Sequence, residues 1–342
     1  MTQTKIESMN PSILKESLMT NEKLLDLLGR YDIQQPEIIF LRHNENRTYR
    51  VNDRTGKSYL LRIHDPFIED MKGLQHTYSG ILGELQMLEK LGSWSTNEIQ
   101  APVRNNEGEL ITIIEYEGEL LNCSVLTWLD GRDMNMNDVN NLELVKELGS
   151  QIAELHTFFR QYEHSGMEIR PSQGKAYNER MIRVIHSGVK KNLFTPPDAN
   201  VIEQTLQLIN SRLDDHGGEA GPDLIHGDLC MGNIIITTEG KVRFIDFGFF
   251  GKGYALLDVA MGAMMLPSDR RDTFLKGYYR ECENTASDLL QLEGLMLVAI
   301  IGYYVFQIEN VHVHDWMRER MPKLCAEYCR PFLNGESIFY KI

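Results

Sequence analysis

His226-Gly227-Asp228-Leu229-Cys230-Met231-Gly232-Asn233, followed by a stretch that ends in Ile245-Asp246-Phe247-Gly248, decides how this chain is read. An aspartate stands two residues after a histidine, an asparagine five residues beyond it, and a second aspartate after two short β-branched runs, residues 233–237 and 242–246. Thr238-Glu239-Gly240-Lys241 between the runs has turn chemistry, so the runs form a hairpin. With Glu239-Gly240 as a two-residue turn, Asn233 falls opposite Asp246 on one face, with Cβ atoms about 4.5–5.5 Å apart. An amide oxygen and a carboxylate so placed suit magnesium, which demands oxygen ligands and takes only one or two from protein when phosphates and water supply the rest. Asp228 is then the carboxylate that accepts a proton from an attacking hydroxyl, and the order is that of a phosphoryl-transfer site.

The offset from Asp228 to Asn233 matches the protein-kinase signature H-R-D-L-x-x-x-N with its later D-F-G. Gly227 stands where protein kinases carry arginine, and the form H-G-D-L-x-x-x-N resembles the superfamily of aminoglycoside phosphotransferases, choline kinases and type II homoserine kinases. No Ala-Pro-Glu follows Asp246, so a protein-kinase activation segment has no visible counterpart. The resemblance implies an α+β, two-lobed, protein-kinase-like fold with a small antiparallel-sheet N-lobe and a larger, mainly helical C-lobe. It also implies a magnesium-dependent phosphotransferase that moves the γ-phosphoryl group of ATP or GTP to a hydroxyl of an aminoglycoside-, choline- or homoserine-like small molecule. Two rival readings share the fold: a bacterial protein Ser/Thr kinase and a nucleotide-binding scaffold that has lost catalysis. The intact phosphate-handling positions speak against the scaffold. An open acceptor groove would favour the protein kinase.

The N-terminal part carries no G-x-G-x-x-G loop. Residues 38–41 and 48–51 read as strands around a polar loop, in which backbone N–H groups and the side chain of Asn44 or Asn46 are placed to cover phosphates. The N-E-N-x-T-Y-R-V form resembles the nucleotide loop of bacterial small-molecule kinases. Residues 58–64 form a further strand that puts Arg62 where the kinase lysine lies, keeping the charge but forking it for bidentate phosphate contact. Its carboxylate partner belongs on the next helix, residues 81–91, where Glu84 aligns with the family's glutamate and Glu89 takes the solvated side. Residues 111–114 and 123–128, joined across Glu117-Gly118-Glu119, resemble the last hairpin of the small lobe. Leu129-Asp130-Gly131-Arg132-Asp133 is the linker, which splits the chain into a nucleotide-binding lobe, 1–128, and a catalytic and substrate-binding lobe, 129–342. In the family this hinge offers backbone groups to adenine, which marks Leu129, while Trp128 is equally a core residue or a purine contact.

Beyond the linker, apolar residues from Leu142 to Leu155 recur at helical spacing and end near His156. A polar insert with Pro171, Gly174, Pro196 and Pro197 separates that helix from another around residues 201–206. His226 reads as a brace for the catalytic loop. Asp258, where the family has an acidic residue starting a helix, reads as its anchor. Leu295 to Ile301 is an apolar run too short to span a membrane and reads as core. At the other end, Ile13, Leu14, Leu18, Leu24, Leu25, Leu27 and Leu28 give a helical pattern expected to pack on the small lobe.

Of 342 residues, 42% are hydrophobic and 25% charged, which is ordinary for a globular protein, and the net charge of −14 opposes nucleic-acid binding. The five cysteines have no metal-ligand spacing and suit a reducing compartment. With no signal peptide, lipidation motif or membrane segment in sight, a cytoplasmic location is expected. The oligomeric state is not readable. Asp130, Asp133 and Asp138 after the linker, with Glu281, Glu283, Asp288 and Glu293 around a late helix, favour an acceptor alcohol that also carries an amine.

Overall fold

The computed structural model describes residues 19–43, 46–65, 73–163, 167–216, 223–280 and 286–342. Ile13, Leu14, Leu18, Asn44, Glu281 and Glu283 lie outside them. Its chain forms two compact units, with Trp128 in the first and Leu129 in the second.

In the first unit, strands β1 (Glu37–His43), β2 (Asn46–Asn52), β3 (Ser58–His64), β4 (Pro102–Val103), β5 (Thr112–Tyr116) and β6 (Glu119–Thr127) form one antiparallel sheet. Its order is β1-β2-β3-β6, with β4 and β5 sharing the far edge of β6. Glu117 and Gly118, at φ 53° and 85°, make the two-residue turn between β5 and β6, as expected where both turn positions are left-handed. Alternation along β3 sends Leu61 and Ile63 to a core shared with Val51, Cys123 and Val125, and sends Arg62 and His64 to the opposite side. Helix α1 (Asn21–Gly29), capped by the Thr20 hydroxyl, adds Leu24, Leu27 and Leu28 to that core. Helix α2 (Tyr78–Trp94) follows and buries Ile81, Leu85 and Leu88.

The second unit is mainly helical, and its first strands, β7 (Arg132–Asp133) and β8 (Ser172–Gln173), are two residues each. Helix α3 (Leu142–Gln161) begins at Asn141, whose side chain accepts from the N–H groups of Glu143 and Leu144. It runs past His156 because Phe158 and Phe159 continue the buried face and pack with Phe250 and Tyr162. The supposed polar insert holds helix α4 (Lys175–Lys190), and Pro196 and Pro197 open helix α5 (Pro196–His216). Proline suits a first helical turn, where its missing N–H costs nothing, and Thr195 caps it by accepting from the Asp198 N–H. Helices α6 (Ala255–Met264), α7 (Arg271–Tyr278), α8 (Ala286–Phe306), α9 (His314–Leu324) and, after a π-helical turn at Cys325–Cys329, α10 (Arg330–Leu333) complete the body. The apolar run at Leu295 belongs to a longer helix than its sequence suggested: Asp288–Phe306 is long and apolar enough to cross a membrane by length and composition. Leu292, Leu295, Met296, Ile301 and Tyr304 nevertheless face the main core of the unit.

Helices α3 and α7 cross with backbone against backbone. A Cβ on Gly149 would sit 2.1 Å from the Phe274 carbonyl oxygen, and one on Gly277 would sit 2.0 Å from that of Lys146. Gly149→Ala must push the helices apart and is expected to cost about 3 kcal/mol, the upper range for overpacking. Gly29→Ala, where outside its own helix no atom of the described residues lies within 4 Å of the added carbon, is the matched control. Equal urea midpoints for the two variants would contradict this account of the crossing.

Candidate active site

The segment that carries Asp228 leaves strand β9 (Asp223–Ile225) and is held from below by one carboxylate. Asp258, fully buried in the first turn of α6, accepts the His226 N–H at Oδ2 (2.8 Å) and the Gly227 N–H at Oδ1 (2.9 Å). Its Oδ2 also takes the Nε2 proton of buried His156 at 2.9 Å, and His156 Nδ1 meets the Tyr278 hydroxyl at 3.0 Å. Burying a carboxylate costs several kcal/mol, and hydrogen bonds to a charged group return about 1.5–3 kcal/mol each. Three of them are enough to keep the anion in place.

His226 ties the segment to the following hairpin. Its Nε2 donates to the Ile245 carbonyl at 3.1 Å, while Nδ1 accepts the Asp228 N–H at 3.3 Å. A carbonyl on one nitrogen and an N–H on the other require the neutral, Nε2-protonated ring, which suits a brace. Gly227 has φ 79°, and a Cβ there would lie 2.6 Å from Gln173 Nε2 and 2.8 Å from the Phe249 carbonyl oxygen. Only glycine satisfies both the left-handed backbone and the space.

Asn233 is buried, and its Nδ2 donates to the Asp228 carbonyl (2.8 Å) and carboxylate Oδ2 (3.0 Å). With its nitrogen so committed, the amide presents Oδ1 as its acceptor for a cation. The hairpin, β10 (Ile234–Ile236) with β11 (Val242–Phe244), pairs Ile234 with Phe244 and Ile236 with Val242. Asn233 therefore stands opposite Ile245, whose N–H it accepts at 3.0 Å, and not opposite Asp246. The expected register is off by one because the turn has three residues: the Thr237 N–H bonds Lys241 O, and Gly240 closes the turn at φ 75°, the bulged form that favours glycine. Asp246 lies beyond the ladder with φ 63° and ψ 65°. A left-handed turn of the backbone at Asp246, not cross-strand pairing, sets the direction of its side chain. Oxygen donors from one amide and one carboxylate fit magnesium.

In the first unit, buried Arg62 donates from Nη1 to Glu84 Oε1 at 2.8 Å, and both side chains are at most 7% exposed. Arg62 Nε and Nη2 are buried with no hydrogen-bond partner among the described residues. Such donors are costly to leave unmade, and they fit phosphate oxygens. Glu89 instead takes both ends of Arg104 on the surface, at 2.8 Å each. Asn46 pairs with His64 across β2 and β3, and its Oδ1 is likewise buried and unmatched among the described residues. The Trp128 ring lies under Arg50, its centre 4.5 Å from the guanidinium carbon, and the Trp128 backbone N–H is spent on the Ser58 carbonyl at 3.0 Å. Leu129 is buried in the second unit. His64 is buried against Ser124 Oγ at 3.0 Å; burial, then the charges of Arg62 and His76, hold it well below the usual imidazole range.

Several residues that matter here carried no signal in the sequence. His156 looked like the end of a helix, and Arg170 and Gln173 looked like loop. Arg170 is fully buried and donates to the carbonyls of Phe247, Gly248 and Phe250, and Gln173 Nε2 donates to the Gly227 carbonyl at 2.9 Å. The acidic set thins out on inspection. Glu293 is buried and accepts the N–H groups of Ile338 and Phe339 at 2.9 Å, and Asp138 is clamped by Arg132 at 2.6 and 2.7 Å.

A model of the phosphotransferase enzyme family, APH, matches residues 37–292. Among solved structures, an amicoumacin kinase in complex with AMP-PNP, Ca2+ and Ami is 19% identical with a TM-score of 0.71, over 97% of this chain and 99% of that one. A microcompartment-associated aminopropanol kinase is 17% identical with a TM-score of 0.70, over 92% and 98%. A Plasmodium vivax ethanolamine kinase is 15% identical with a TM-score of 0.62, over 94% of each chain. No curated protein matches the sequence.

Two outcomes are expected. Asp258→Asn has one acceptor oxygen for two backbone N–H groups and should lose about 3 kcal/mol of stability in urea unfolding; an unchanged midpoint would remove the carboxylate from its anchoring role. His64 stays neutral when folded but takes up a proton when unfolded below about pH 6.5, so the unfolded state gains protons and stability falls as pH drops through that value. His64→Asn should flatten the loss of urea stability between pH 7 and pH 5, and an identical acid limb would refute the assignment.

Proposed function

Because the chain belongs to the phosphotransferase enzyme family and has its protein-kinase-like, α+β fold, we propose that it transfers the γ-phosphoryl group of ATP to the hydroxyl of a small molecule that also bears an amine. The observation that carries the reading is the double donation from Asn233 Nδ2 to the carbonyl and carboxylate of Asp228. It locks the base and one cation-binding amide into a single unit, as a positioned transfer requires. Asp228 accepts the hydroxyl proton, and Asn233 and Asp246 hold magnesium. Magnesium held there supplies charge neutralisation on the phosphates. Arg62, fixed in one rotamer by Glu84, offers the N–H groups of Nε and Nη2 to phosphate oxygens.

The choice of acceptor rests on chemistry and on likeness. Similar structures include kinases of aminopropanol and ethanolamine, both amino alcohols by name. The chain's own excess of acid, −14 at neutral pH, attracts cationic substrates.

Initial rates with labelled ATP should be higher for amino alcohols than for neutral sugars or hydroxy acids, and the advantage should shrink with salt. Asp228→Asn should lower turnover roughly 10²–10⁴-fold with nucleotide affinity nearly unchanged. Full activity in that variant would remove the general base. A preference for the hydroxy acid would remove the amine and leave the phosphotransfer standing.

A further inference from the structure

The segment at residues 170–173 touches both phosphate-handling loops. Arg170 Nε donates to the Phe250 carbonyl at 2.7 Å, and Nη2 donates to the carbonyls of Phe247 at 3.1 Å and Gly248 at 2.8 Å. The guanidinium also lies 5.5 Å from the centre of the Phe250 ring. The Pro171 carbonyl takes the Lys252 N–H at 3.0 Å, and a Cβ on Gly251 would sit 2.0 Å from that same oxygen. Strand β8 (Ser172–Gln173) runs parallel to strand β12 (Gly251–Gly253). Gln173 reaches across to the Gly227 carbonyl, one residue before Asp228.

We propose that residues 170–173 form a positioning strap, in which Arg170 holds the backbone after Asp246 in its left-handed turn and Gln173 holds the backbone before Asp228. The proposal rests on the roles given above to Asp228, Asn233 and Asp246. Asp246 sits at φ 63°, a conformation uncommon for a non-glycine residue though less so for aspartate, and one that surrounding bonds can fix. The next residue, Phe247, is the first of the three whose carbonyls Arg170 grips. A planar guanidinium with donors fixed in a fork can serve three carbonyls from one buried position. Lysine presents one compact ammonium and lacks the Nε donor that Phe250 receives. The strap acts through the backbone and touches neither reacting atom, so its effect falls on the geometry of the metal ligand and the base. It also accounts for a buried arginine in a segment whose composition suggests only a loop.

The decisive measurement is Mn2+ affinity in the presence of AMP-PNP, read by electron paramagnetic resonance of the free ion and compared among wild type, Arg170→Lys and Asp246→Asn. Arg170→Lys should weaken Mn2+ about tenfold, the effect expected when the support of a metal ligand is removed, and excess metal should restore much of the lost turnover. Unchanged Mn2+ affinity in Arg170→Lys, with a loss in Asp246→Asn, would overturn the strap alone. Unchanged affinity in Asp246→Asn would overturn the metal site and the strap with it. If Arg170→Lys fails to fold, the half-buried Gln173→Ala carries the test. It should lower kcat about tenfold with both KM values, Mn2+ affinity and the urea midpoint nearly unchanged, and an unchanged kcat would overturn the proposal.

Discussion

One buried carboxylate fixes the geometry on which the catalytic segment depends. Asp258 binds two consecutive backbone N–H groups, those of His226 and Gly227, with one oxygen each. Two bonds from one rigid group set both position and orientation, which a single bond would leave free to swivel. The remaining architecture keeps that carboxylate where it is. Helix α6 presents it in its first turn, α3 brings His156 to its second lone pair, and the glycine-lined crossing of α3 and α7 brings Tyr278 to His156. The chain of contact therefore runs from a helix crossing to the backbone of the loop that holds Asp228.

How much of this was legible depended on the range of the interaction. The offset between Asp228 and Asn233 is local, and the structure ties the two side chains directly. Arg62 and Glu84 come from different elements, yet strand alternation and helix spacing fix their faces, and they meet at 2.8 Å. The hairpin register was misread by one residue. Gly240 takes a left-handed conformation that admits two turn lengths, and sequence alone did not choose between them. His156 was invisible because its partners, the side chains of Asp258 and Tyr278, lie 102 and 122 residues away, and Arg170 and Gln173 because theirs are backbone carbonyls 54 to 80 residues away. A backbone carbonyl carries no residue type, so nothing in the composition announces it. The acidic residues show the converse: Glu293 and Asp138 looked like a substrate field and are engaged by nearby structure.

The first unit holds its charge differently. Arg62 is buried with one branch on Glu84 and with Nε and Nη2 unmatched among the described residues. That arrangement gives up stability, since unmade hydrogen bonds in a dry setting cost about 1–3 kcal/mol each. What it retains is a cation already desolvated and already in one rotamer, so that an incoming anion has little ordering left to do. Beside it, His64 is kept neutral and adds no second charge to compete for Glu84.

Gly227 carries an evolutionary consequence. Its backbone is left-handed, and the space a side chain would need is taken by Gln173 on one side and the Phe249 carbonyl on the other. Arginine, the residue at this place in the protein-kinase signature, is reachable from glycine by a single nucleotide change, but the loop has no conformation here that admits it. Its arrival would require the backbone to leave the left-handed region, which breaks the paired bonds to Asp258, and would require Gln173 to withdraw. A change from one form of the motif to the other therefore needs the backbone at Gly227, the Gln173 side chain and the Phe249 carbonyl to move together.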